Sequence, residues 1–199
     1  MDGARPIIVA VTGASGAPYG VRLLQALVEA EQPVSLILSS HGLRLIQTET
    51  SLGSVAGLRA HLGAAAWDRW VTLYDDADRG AGPASGSHRA RAMVVCPCSM
   101  GTLAAIAAGT SRSLVERAAD VTLKERRPLV LVTRETPLSS IHLENMLRVT
   151  HAGAVVMPAA PGFYHKPTRI EDLVDFMVAR VLDHLGVENA LAPRWGEPT

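Results

Sequence analysis

Aromatic residues make up only 4% of the chain, and just two cysteines are present, Cys96 and Cys98. With so few aromatics, a core must be filled by Ala, Val, Leu and Ile, which suits strands buried on both faces and covered by helices. A Cys-x-Cys pair is too close in sequence to staple a fold. With no further Cys it also lacks the ligand set of a structural zinc site. The pair reads as reduced thiols in a cytoplasmic compartment. A surplus of either charge is missing as well: Lys plus Arg and Asp plus Glu are 19 each. A general nucleic-acid binder needs a basic surplus, so that class is excluded. The balance also removes the self-repulsion that keeps small proteins apart, which leaves homo-oligomers open. No apolar run is long enough for a membrane-spanning helix, and Met1-Asp-Gly-Ala-Arg-Pro6 has no signal-peptide pattern.

What is present is an alternation of strands and helices. Ile7–Val11, Pro33–Leu38, Ala92–Cys96, Pro128–Val132 and Ala154–Met157 are β-branched or apolar runs ending in turn residues, and Val71–Tyr74 is a shorter sixth. Helical spacing covers Ala17–Glu29, Leu43–Thr50, Leu103–Ala108, Leu114–Leu123, Ile141–Thr150 and Ile170–Leu185. The stretch from Asp75 to Arg91, rich in Gly, Ser, Asp and Arg, reads as a site loop. The pattern predicts one α/β domain over 1–199, a doubly wound parallel sheet of the flavodoxin or Rossmann kind, with a short tail from about 186. Ligands of such sheets bind beyond the carboxyl ends of the strands.

Polar clusters gather at that edge. Thr12-Gly-Ala-Ser-Gly-Ala-Pro-Tyr-Gly20 joins the first strand to the first helix, and it serves either as a cradle for an anionic cofactor or as an empty tight turn. It is neither Gly-x-Gly-x-x-Gly nor a Walker loop. Ser39-Ser40 and Ser99-x-x-Thr102 either cap their helices or touch a phosphate, and the two roles are compatible. Arg134-Glu135 closes a buried strand on the same side, where a cation suits a phosphate and a carboxylate suits proton handling. His142 and His151 have no Cys or carboxylate partner at ligand spacing and read as structural or exposed.

Gly13-Ala-Ser-Gly16, Cys98-Ser-Met-Gly-Thr-Leu103, Arg117-Ala-Ala-Asp-Val121, Leu123-Lys-Glu-Arg-Arg127, Arg134-Glu-Thr-Pro-Leu138, Ile141-His-Leu-Glu-Asn-Met146 and Pro161-Gly-Phe-Tyr164 together resemble the UbiX-type flavin prenyltransferases, from about Ile7 to Trp195. The resemblance implies a flavodoxin-like fold binding reduced flavin mononucleotide (FMN) and dimethylallyl phosphate. It implies prenylation of the flavin at N5 and then C6, without a metal, and delivery of prenylated FMN to a UbiD-type decarboxylase. By position, Gly13, Ala14, Ser15, Ser39, Ser99, Met100, Gly101, Thr102 and Arg117 match the flavin-binding pattern. Lys124, Arg134, Glu135, Tyr164 and Arg180 match the group holding the allylic phosphate. Glu135 is the expected proton-handling residue, with Ser15 and Lys124 also catalytic, and Trp195 matches a tail aromatic over the site. The family forms large homo-oligomers, often dodecamers, so several of these residues are expected to meet across subunits. Two features depart from the pattern: Ser113, where relatives often carry Asn, and the polar part of the Asp75–Arg91 loop. The alternatives are a flavin-dependent cysteine decarboxylase, for which His41 imitates one signature residue, and a non-catalytic flavin carrier.

Overall fold

The computed structural model describes residues 5–194 and residue 196. Six strands form one sheet: β1 (Ile7–Val11), β2 (Val34–Leu38), β3 (Val71–Asp75), β4 (Ala92–Cys98), β5 (Leu129–Thr133) and β6 (Val155–Pro158). Their order is β3-β2-β1-β4-β5-β6 and every pairing is parallel, which makes this the Rossmann strand order. The interior strands β1, β4 and β5 are buried along their whole length. This is why they read as unbroken apolar runs rather than as alternating ones.

Among the described residues, eight helices cover the two faces: α1 (Ala17–Glu29), α2 (Ser40–Glu49), α3 (Val55–Leu62), α4 (Ala64–Trp70), α5 (Met100–Ala108), α6 (Leu114–Lys124), α7 (Ser140–His151) and α8 (Ile170–Leu185). Side chains alternate along a strand. Ile7, Val9 and Val11 therefore join the core beneath α1 and α8, and Ile8 and Ala10 the core beneath α5, α6 and α7. In α1, Leu23, Leu24 and Leu27 are fully buried, each contributing about 2 kcal/mol of apolar burial. Gly20 lets α1 lie against β4, since a Cβ there would fall 2.5 Å from the Cys96 carbonyl oxygen.

Helices α2 and α5 begin earlier than their apolar spacing predicts, because Ser39 and Ser99 cap them and draw the next residues into the first turn. Helices α3 and α4 were not expected from the sequence, and the Asp75–Arg91 loop contains a single 3-10 turn at Gly82–Ala84. Helix α8 ends at Gly186, whose φ of 63° suits glycine. Trp195, the expected tail aromatic, lies outside the described residues.

Candidate functional site

The chain leaves β1 toward the α1 face and leaves the neighbouring β4 toward the α5 face. A crevice consequently opens between residues 12–16 and 98–102, at the point where strand order reverses. Thr12 ties its two sides together. This buried hydroxyl donates to the Pro97 carbonyl at 2.9 Å and accepts from the Ser99 N–H at 2.9 Å. The Ser99 side chain caps α5 by accepting from the Thr102 N–H at 3.2 Å. The first-turn N–H groups of Met100 and Gly101 have no intrahelical acceptor. Those of Gly13 and Ser15 have no partner among the described residues. A crevice lined with unpaired N–H donors fits a phosphate-bearing ligand.

Sequence reasoning missed Glu49. The last residue of α2, it accepts from the Gly16 and Ala17 N–H groups, both at 2.8 Å, and so occupies the start of α1. Burial pushes its carboxyl up, but the Gly16, Ser15 and Ala17 hydrogen bonds and the Arg134 charge outweigh this and hold it below the usual value. Arg134 donates to the Ser15 carbonyl at 3.0 Å. Ser15, Glu49 and Arg134 thus form one charged group at the crevice mouth. Glu135 follows, exposed, with its carboxylate accepting from the Thr136 N–H at 3.0 Å. Ser39 caps α2 through the Gly42 N–H at 3.0 Å. That helix lies so near the loop that a Cβ on Gly13 would sit 2.7 Å from the His41 Cβ.

The remaining expected residues do not converge on this crevice within one chain. Arg117 faces Asp120 (2.8 Å) and the Ala84 carbonyl (3.3 Å). Lys124 ends α6 just before β5 begins, so it lies at the amino-terminal edge of the sheet, paired with Glu125 at 2.6 Å. Arg134 lies beyond the opposite end of that strand, whose five residues alone span about 16 Å. Tyr164 and Arg180 line a separate pocket of about 260 Å³. A larger cavity of about 470 Å³ between α1, α8 and the α2–α3 connection is lined by none of the expected site residues.

The polar Asp75–Arg91 loop is accounted for by local bonding. Asp76 accepts from the Leu114 and Val115 N–H groups and, with Ser113, caps α6. Arg127 pins the far end through the Gly86 and His88 carbonyls. His142 completes a reciprocal cap with Ser139, in keeping with a structural role. Cys96 and Cys98 are buried, and burial pushes the Cys96 thiol up to about 12 and that of Cys98 higher still. No described group of three or more His, Cys, Asp or Glu side chains is placed to hold a metal ion.

A Rossmann-order sheet with a donor-lined crevice at its switch point defines a nucleotide-type binding fold, and the model of the Flavoprotein family matches residues 1–182. The flavin prenyltransferase UbiX of Pseudomonas aeruginosa is 52% identical, the match covering 99% of this chain and 97% of that protein. The UbiX of Methanothermobacter thermautotrophicus is 49% identical over 95% and 94%. The crystal structure of AnUbiX (PadA1) in complex with FMN and dimethylallyl pyrophosphate superimposes with a TM-score of 0.91 and 45% identity, covering 99% of this chain and all of that one. The chain belongs to the UbiX-type flavin prenyltransferases. A dodecameric FMN-dependent UbiX-like decarboxylase from Escherichia coli O157:H7 has a TM-score of 0.88 at 46% identity, covering 96% and 100%.

Proposed function

We propose that this chain transfers a dimethylallyl group from dimethylallyl phosphate to N5 and C6 of reduced FMN and releases prenylated FMN to a UbiD-type decarboxylase in the cytoplasm. The observation that carries this reading is the crevice between the Thr12–Gly16 and Cys98–Thr102 segments, with Ser15 and Arg134 at its mouth. The residues fit the flavin: unpaired N–H groups and the Ser99 and Thr102 hydroxyls suit its phosphate and polar chain. Bound reduced flavin supplies the nucleophilic nitrogen and ring carbon. The protein's part is to neutralise and hold the leaving phosphate, a task for Lys124, Arg134, Tyr164 and Arg180. Glu135 holds or moves a proton beside it. A bound flavin and the facing copies of the chain would close the crevice to water and so protect a carbocation-like species.

Lys124 and Arg134 occupy opposite edges of one chain, which favours a site assembled from several copies in a homo-oligomer, a dodecamer in this reading. Anaerobic incubation with reduced FMN and dimethylallyl phosphate, followed by mass spectrometry of the released flavin, tests the proposal. Prenylated flavin is the expected product. Recovery of unmodified flavin alone from a flavin-loaded protein sinks the reading.

A further inference from the structure

The pocket of about 260 Å³ that holds Tyr164 and Arg180 has a second arginine on its wall, Arg194. Phe176 and Arg180 stand one turn apart on α8, and such residues share a helix face. The Tyr164 ring meets Phe176 edge-on, with centroids 5.8 Å apart, so the phenol and the Arg180 guanidinium are held on one wall. Asp183 accepts from Arg180 Nη1 at 3.0 Å and from Arg194 Nη2 at 3.0 Å, and Asn189 Nδ2 donates to it at 3.3 Å. Two guanidinium groups therefore flank a single carboxylate, leaving one net positive charge. Each fork carries more N–H donors than Asp183 accepts. The Arg194 and Arg180 side chains are 45% and 53% exposed, and ion pairs so exposed add little stability. Anchoring the chain end is thus a weak reason for the cluster. A planar fork facing a pocket is suited to a phosphate.

We infer that Arg194 is a further arm of the donor's phosphate clamp, with Asp183 the positioning carboxylate that holds Arg180 and Arg194 side by side. The ligand is the phosphate end of a small allylic ester, so the inference rests on the proposed reaction. Asp183 lowers the repulsion between the two cations before the donor arrives, and the phosphate takes the donors that remain.

The test uses the full-length, FMN-loaded protein. Arg194→Gln is expected to raise the KM for dimethylallyl phosphate roughly tenfold, with most of the loss in KM rather than kcat. Inhibition by inorganic phosphate should weaken in parallel, and Arg194→Lys should recover part of both. Flavin affinity and oligomeric size serve as the structural controls. Wild-type KM and wild-type phosphate inhibition in Arg194→Gln overturn the inference, as does a loss confined to flavin affinity or assembly. If the wild type makes no prenylated flavin, titrating inorganic phosphate into the FMN-loaded protein still decides the matter. Weaker phosphate binding in Arg194→Gln supports the clamp, and equal binding refutes it.

Discussion

Glu49 takes the two N–H groups that open α1, so a ligand in the crevice meets the Gly13 and Ser15 donors and the start of α5 instead. Folding holds this carboxyl below its usual value, so as pH falls the unfolded chain binds the proton first. The stabilisation is complete above the ordinary glutamate value of about 4.3 and is lost as pH drops through the lower folded value. Glu49→Gln is expected to cost about 1 kcal/mol at neutral pH and progressively less in acid. Denaturant melts of both proteins at neutral pH and near pH 3.5 measure it; equal midpoints at neutral pH would remove Glu49 from this role. The crevice residues Gly13, Ser15, Ser99 and Thr102 were legible because each sits at a strand-to-helix junction. Glu49 was not, because it lies 33 positions from Gly16 and only the packing of α2 against α1 brings the two together.

Helix α7 buries only Val149, while Ile141, Leu143 and Leu147 are 66%, 53% and 57% exposed. A fully solvated helix rarely carries such a patch, and self-assembly is the expected cover for it. Leu143→Glu with Leu147→Glu should break the assembly into smaller units that remain folded, since a buried leucine contributes about 1.5–3 kcal/mol. Light scattering coupled to size-exclusion chromatography, with circular dichroism for the fold, reads the outcome. An unchanged mass would assign the patch another cover. Strands β1, β4 and β5 and helices α1 and α8 were plain in the sequence because burial imposes its period on them. Helices α3 and α4 were hidden because each is only about two turns long and Gly63 both ends the first and begins the second, so the helical spacing of Val55, Leu58 and Leu62 is too short a run to stand out.

At the scale of the whole molecule, the sequence offers the residues of the proposed phosphate clamp, yet linear order does not reveal that Lys124 and Arg134 close opposite ends of one strand. If each site takes these two residues from different copies, Lys124→Ala and Arg134→Ala proteins should each be inactive alone. Assembled together in equal amounts, they should regain activity in about a quarter of their sites. Single-turnover prenylation of mixed oligomers measures this, and absence of any recovery would place both residues in one copy's site. The separation of those edges also bears on inheritance. A chain damaged at both Lys124 and Arg134 would spoil two sites, so a cell expressing it in equal share with the intact chain would keep about a quarter of its sites rather than half. Damage at both edges would therefore cost more than its share, whereas a change at one edge, or one that abolishes folding and keeps the chain out of the assembly, would cost its share alone.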